Sequence, residues 1–324
     1  MLTAGPTAGE PCSALLHRNS FPEIESFQPL KISLYTAPMI TNYLKEKQAL
    51  VDRTIDQLLP PADVRPTLLH QAMRYSVLNG GKRIRPILVI AAAEALGKTT
   101  EEIIKAAVSV ELYHCSTLIH DDLPCMDDDN LRRGKPTCHI QFGEANAVLA
   151  GDALMIMAFE LLAEHGNSRL GLELARAAGS RGVIAGQVED LAAEGKTPNA
   201  DLVEFIHLNK TAILIQASVR MGAIAADATE KELEQLSRFG RKIGLAFQIA
   251  DDILDEISTD EILGKPAGSD AEQHKMTYPA VHGMDTAQAK VRSLTFDAIA
   301  ALMELDRDTS ALKSIAEFLM NRTF

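Results

Sequence analysis

The chain contains no tryptophan, and aromatic residues make up only 5% of its 324 positions. Sheets draw heavily on aromatic and β-branched residues, so this supply, beside abundant Ala, Leu and Ile, weighs against a β-sandwich and toward helices. Positive charge is also scarce: 32 Lys and Arg stand against 44 Asp and Glu, a formal net charge of −12. Such a balance argues against nucleic acid or an anionic membrane as the main partner. No uninterrupted apolar run approaches the roughly 18 residues of a spanning helix, so no membrane span is expected. The four cysteines, Cys12, Cys115, Cys125 and Cys138, form no Cys-x-x-Cys pair and no Cys/His zinc spacing. They read as reduced thiols in a cytoplasm-like compartment. There is no βαβ alternation, no repeat and no low-complexity tract. Residues 1–38 are rich in Pro, Ser and Thr, with only Arg18 and Lys31 as strong bases. They lack the pattern of a signal peptide or of the usual Arg-rich transit peptide. They are read as a flexible extension before one domain over 39–324, a plastid address being the lesser alternative should they act as a transit segment.

What the chain does have is acid in two places. Asp121, Asp122, Asp127, Asp128 and Asp129 fall within LIHDDLPCMDDDNLRRGKPT, residues 118–137. Carboxylates so close repel, and a proton, a cation or an arginine must neutralise part of the charge. Hard oxygen ligands suit Mg²⁺, which keeps waters and shares its shell with phosphates. Arg132 and Arg133 follow at once, and a guanidinium matches phosphate oxygens bidentately. A solvated acidic loop would be the plain reading of this run alone. The second cluster, FQIADDILD at 247–255, opposes that reading because Asp251, Asp252 and Asp255 interrupt an apolar helix. Asp251 and Asp255 share one helical face. Two acidic helix ends facing one cavity would hold Mg²⁺ and a diphosphate between them.

Helices are expected at 39–59, 67–78, from the Gly-Lys-Arg-Ile-Arg-Pro run at 81–86 onward, and at 99–121, 144–164, 168–193, 199–226, 229–257, 285–304 and 309–321. Lys82, Arg83 and Arg85 lie at a helix start, where positive charge opposes the dipole unless an anion sits among them; ordinary surface bases are the alternative. The helix at 99–121 is apolar nearly all round and should be central. On it His114 precedes Asp121 by two turns, either as a core histidine or as a donor to phosphate. Pro124 breaks the helix and lets Asp127 return toward Asp121; whether Asp127 or its neighbour Asp128 takes a metal stays open. Lys210 and Thr211 sit amid apolar neighbours, where a lysine needs an anionic partner or loses its proton. Gln248 offers an amide one turn before Asp252. A Gly- and Pro-bearing stretch after residue 257 carries Lys265 and Lys275, as a loop that closes over phosphates would.

With these blocks in view, the sequence resembles the trans-isoprenyl (polyprenyl) diphosphate synthases, the farnesyl and geranylgeranyl diphosphate synthase family. The resemblance runs from about residue 39 to the C-terminus. It rests on GGKRIRP (80–86), DDLPCMD with RRG (121–127, 132–134), GQVEDL (186–191), KT (210–211), FQIADDILD (247–255) and LGKPAGSDAEQHKMTYP (263–279). It implies the all-α isoprenoid synthase fold, antiparallel helices around one central cavity, usually as a homodimer. It further implies three Mg²⁺ ions, two held by Asp121, Asp127 and Asp122 and a third by Asp251 with support from Asp252 and Asp255. Arg132, Lys210 and Lys265 would grip the allylic diphosphate. Lys82, Arg85, His114 and Arg133 would bind isopentenyl diphosphate. Thr211 and Gln248 would line the path of the developing positive charge, and Lys275 would assist loop closure.

Product length should follow from the cavity floor. Thr117 and Ser116 lie four and five residues before Asp121, roughly 6–7.5 Å deeper along the helix. Two small residues leave that level open where farnesyl-making relatives commonly carry an aromatic, which favours the C20 product over the C15. Met155 and Phe159 are candidates for the eventual stop. A class I terpene cyclase and a non-catalytic modulating subunit are the competing readings. The repeated DDxxD, the intact GGKRIRP block and the retained carboxylates and lysines count against both.

Overall fold

The computed structural model describes residues 36–197, 199–257 and 275–321, and Lys265 lies outside these described residues. Four helices open the described residues: α1 (Thr36–Leu58), α2 (Thr67–Leu78), α3 (Ile84–Ala95) and α4 (Thr100–Asp121). A small hairpin, β1 (Leu131–Arg132) with β2 (Lys135–Pro136), leads to α5 (Cys138–Phe142) and α6 (Glu144–His165). Next come α7 (Ser168–Ala178), α8 (Val183–Ala193) and α9 (Ala200–Ile206), then a π-helical turn (His207–Ala212) that runs into α10 (Ile213–Ala225). The chain finishes with α11 (Glu230–Ile257), α12 (Tyr278–His282), α13 (Met284–Met303) and α14 (Ser310–Met320).

The core has two main lobes. One gathers α4, α6 and α7, with Leu112, Tyr113, Leu154, Leu162 and Leu174 fully buried. The other gathers α11, α13 and α14 around Phe239, Ile243, Val291 and Ile315. Helices α3 and α10 stand between them and feed both, Val89 and Met221 into the first, Leu88 and Val219 into the second. They cross so closely that a Cβ on Gly222 would lie 2.2 Å from the Val89 carbonyl. As its composition suggests, α4 is central, packing on α6, α3 and α1. Thr99 and Glu102 start it with a reciprocal capping box that satisfies free N–H groups of the first turn.

Two long helices expected from the sequence are interrupted. The 168–193 segment breaks at Gly179–Gly182 because a Cβ at Gly182 would lie 2.0 Å from the Ala177 carbonyl, a conformation that only glycine allows. The 199–226 segment widens into the π turn, whose single extra residue per turn shifts side chains off the regular helical face. Among the described residues, α6 is long and apolar enough to cross a membrane by length and composition, although its apolar residues are interspersed with Asp152 and Glu160. Here it lies in the bundle, setting Ala147, Ala150, Leu154, Ala158 and Leu161 against its neighbours.

Candidate active site

The first acidic run gets its geometry from the end of α4. The helix stops at Asp121, and the Asp127 N–H then donates back to the Asp121 carbonyl at 2.9 Å. Pro124 thus brings the two carboxylates together, as the sequence predicts. Asp127 turns inward and takes the Lys275 ammonium at 2.8 Å. Asp128 adopts positive φ (52°) and is exposed, so Asp127 faces the other charged groups. Burial raises the Asp121 carboxyl above its ordinary range, Lys210 pulling it down and Asp127 pushing it up. Burial acts the same way on Asp127, but Lys210 and Lys275 outweigh it and hold that carboxyl below its usual value. Asp122 points away from this pair and is buried against Arg132, whose Nε donates at 2.8 Å and whose Nη2 reaches the same oxygen. Burial nonetheless lifts Asp122 to about 6, against the pull of Arg132.

The two arginines diverge because the hairpin turns between them. Arg133 and Gly134 both have positive φ, 55° and 75°, the type I′ pattern whose twist suits a two-residue hairpin. Arg132 goes to Asp122 and Asp129. Arg133 goes to the Gly80 carbonyl, its guanidinium filling the space where a Cβ on Gly81 would be, 2.6 Å from Cζ. That carries it to the basic block at the start of α3. There Arg85 Nη1 meets His114 Nε2 at 3.2 Å, while Arg85 Nε is buried with no partner among the described residues. An orphaned guanidinium N–H is what a phosphate oxygen would satisfy. Burial, then Arg85 and Arg133, keep the imidazole of His114 neutral, well below its usual range. Lys82 is exposed at the same loop.

Arg83, expected among the same bases, turns the other way. With φ at 51° it is buried and donates to Asp52 at 2.8 Å, Glu111 at 2.6 Å and the Val77 carbonyl at 2.6 Å. It bolts α1, α3 and α4 together beneath the loop that presents Lys82 and Arg85. Removing one partner of a buried pair strands the other charge, so Arg83→Met is expected to lower the unfolding free energy by about 3–5 kcal/mol in urea denaturation. A loss under about 1 kcal/mol would mean the pair is not isolated from water.

The π turn carries the lysine. Lys210 Nζ bonds Asp190 Oδ2 at 2.5 Å, and burial, which lowers an ammonium, is outweighed by Asp121, Asp190 and Asp127, so Lys210 stays charged with a raised pKa. Three carboxylates from α4, its following loop and α8 therefore converge on one cation. Two glycines allow the wide turn to fit: a Cβ on Gly186 of α8 would lie 2.1 Å from Lys210 N, and one on Gly244 of α11 would lie 2.8 Å from Ala212 Cα. On the far side Thr211 donates to Gln248 Oε1 at 2.6 Å, and Gln248 Nε2 donates to Asp252 at 2.8 Å. The second acidic cluster is reached by two further links. Asp251 acts electrostatically on Arg85, and the Tyr278 N–H, three residues after the Lys275 that binds Asp127, donates to Asp252 at 2.7 Å. Asp255 is buried. The two clusters are joined through neighbouring residues: Lys210, which meets Asp121 and Asp127, precedes Thr211 of the Gln248–Asp252 chain, and Lys275, which meets Asp127, lies three residues before Tyr278, which meets Asp252.

Sequence reasoning passed over Gln187 and Asp190 as site residues, although both stand in the GQVEDL block. Gln187 Nε2 donates to Asp121 at 2.5 Å, and Asp190 holds Lys210. The signal was present: two polar residues three apart, sharing one face of a helix that is apolar apart from them and Glu189. Deeper along α4, Ser116 is fully buried with its hydroxyl on the Tyr113 carbonyl at 2.7 Å, and Thr117 returns its hydroxyl to His114 at 2.8 Å. Met155 and Phe159 of α6 are partly buried against the same core lobe. The described residues contain no ready-made cage of three or more metal ligands.

Acidic helix ends, an inward lysine and an orphaned guanidinium N–H in an all-helical body are donors and acceptors suited to a phosphate-bearing ligand. Residues 66–317 match the family model described as polyprenyl synthetase. The chain is similar to geranylgeranyl pyrophosphate synthase 4 of Arabidopsis thaliana, with 44% identity over 289 residues, 86% of this chain and 77% of that one. It is equally similar to farnesyl diphosphate synthase of Escherichia coli (strain K12), 44% over 288 residues, 85% of this chain and 96% of the other. Among solved structures, the geranyltransferase from Helicobacter pylori complexed with magnesium and isoprenyl diphosphate matches at a TM-score of 0.77 and 34% identity, over 88% of this chain and 97% of that one. The chain belongs to the polyprenyl synthetase family, and it is a trans-prenyltransferase.

Proposed function

We propose that the enzyme, in its domain at 39–324, condenses isopentenyl diphosphate with allylic diphosphates head to tail and releases geranylgeranyl diphosphate as its main product. The observation that carries the chemistry is the convergence of Asp121, Asp127 and Asp190 on Lys210. Asp121 and Asp127 on one side and Asp251 on the other would hold three Mg²⁺, which supply Lewis-acid stabilisation of the leaving diphosphate. The hard carboxylate donor set fits that ion. Asp122, bound to Arg132, orients that guanidinium toward the allylic diphosphate. Lys210 and Lys275 add positive charge where leaving-group charge develops, and Lys265 is assigned to the same task from the sequence. Lys82, Arg85, His114 and Arg133 bind isopentenyl diphosphate, the neutral imidazole of His114 serving as a hydrogen-bond donor rather than a second cation. Thr211 and Gln248 direct oxygens at the route of the allylic cation, which apolar walls shield from water.

The C20 product is inferred from small side chains at the floor. Ser116 and Thr117 satisfy their hydroxyls within α4, leaving no bulk and no polar group to stop a growing chain at that level. Ser116→Phe is expected to make the C15 alcohol the major product after phosphatase treatment, with stability lowered by about 1–3 kcal/mol because the ring enters at a buried position of α4. A parent enzyme that yields no C20 alcohol from isopentenyl and farnesyl diphosphates contradicts the assignment. The exposed apolar residues Val148, Leu149 and Ile156 of α6, with Ile140 of α5, are assigned to pairing with a second copy. Cys115, Cys125 and Cys138, all free, fit a reducing compartment such as the cytoplasm.

A further inference from the structure

Asp252 belongs to the second acidic cluster, yet its surroundings are those of a residue that orients others. It is 3% exposed. Its Oδ1 accepts from Gln248 Nε2 at 2.8 Å; its Oδ2 accepts from the Tyr278 N–H at 2.7 Å and lies 3.2 Å from His207 Nε2. His207 is itself buried and stacked on Tyr278, ring centroids 6.3 Å apart, with Nδ1 unpartnered among the described residues. A carboxylate oxygen accepts and never donates, so the group facing Oδ1 has to be the NH₂ of Gln248. Its carbonyl must then face Thr211, and the Thr211 hydroxyl must donate to it at 2.6 Å. Once that proton is committed, only the lone pairs of the Thr211 oxygen can face outward.

We propose that Asp252 is a positioning residue: its charge fixes the polarity of the relay Asp252–Gln248–Thr211 and so turns the lone pairs of the Thr211 oxygen, rather than its O–H, toward the reacting carbons. Asp252 also ties Tyr278 to α11, which sets the segment from which Lys275 reaches Asp127. This inference rests on the reading that Thr211 and Gln248 line the route of the allylic cation. It removes Asp252 from the metal ligands and leaves Asp251 in that role.

Asp252→Asn keeps an oxygen for the Tyr278 N–H but turns an NH₂ toward Gln248, whose amide must flip and reverse the threonine hydroxyl. The expected result is a kcat lowered about 10- to 100-fold, with KM for both diphosphates within about threefold of the parent. With inorganic diphosphate present, electron paramagnetic resonance should count the same number of bound Mn²⁺ ions in Asp252→Asn as in the parent, and one fewer in Asp251→Asn. Gln248→Glu alone sets two carboxylates face to face and is slow. The double variant D252N/Q248E rebuilds every bond with the charge exchanged, returns an acceptor to Thr211, and should recover kcat to within about threefold. Loss of a Mn²⁺ ion in Asp252→Asn overturns the proposal, as does a double variant that is unfolded or no faster than either single one. Gln248→Ala with parental kcat would show that the underlying reading of Gln248 is wrong, and the relay would fall with it. A slow Gln248→Ala enzyme without rescue in the double variant would sink the relay alone.

Discussion

Asp121→Ala is expected to lower kcat/KM for the allylic diphosphate by about 1000-fold, measured as Mg²⁺-dependent diphosphate release. Two features make the loss large. Asp121 ends α4 beside Asp127, held by Gln187 at 2.5 Å, and it is one of three carboxylates that keep Lys210 charged. Removing it takes away metal-binding charge and a partner of the lysine together. Stability should not fall in proportion. Burial already raises this carboxyl and Asp127 repels it, so the alanine variant relieves like-charge crowding. Asp128→Ala is the control: that residue is exposed and turned outward, and its activity should stay within about twofold of the parent. Equal losses at 121 and 128 would contradict the assignment of Asp127, rather than Asp128, to the site.

Gly186→Ala should abolish activity and lower the unfolding free energy by about 3 kcal/mol or more. The new methyl would lie 2.1 Å from Lys210 N and 2.6 Å from its Cα, and these are backbone atoms that no rotamer change can clear. Helix α8 must therefore back away from the π turn. That breaks the Lys210–Asp190 ion pair and the Gln187–Asp121 hydrogen bond, both of which depend on the same approach. A folded variant with parental kcat would mean that the π turn tolerates displacement and does not position Lys210.

Most of the architecture was legible in the chain because its signals are local. The apolar run into Asp121, the capping pair Thr99 and Glu102, and Pro124 set the ends of α4 and the return of Asp127 without reference to the rest of the protein. The interruptions were not legible for the opposite reason. Periodicity in 199–226 is continuous, and the π turn exists because Gly186 and Gly244 arrive from two other helices. The site shows the same division. Residue types and spacing marked both acidic clusters, Lys210 and the basic block. Which guanidinium faces inward was decided by backbone conformation, positive φ at Arg83 and Arg133, which the residue letters do not encode. Asp252 likewise looked like its neighbour Asp251 until its hydrogen-bond partners were known.

The most direct measurement is a crystal structure of the enzyme grown with Mg²⁺ and inorganic diphosphate. Expected is a single diphosphate bridged by metal ions that are liganded by Asp121 and Asp127 on one side and by Asp251 on the other, with Lys210 against its oxygens. A diphosphate whose metals touch only one of the two acidic helix ends, leaving the other facing water, would contradict a shared site.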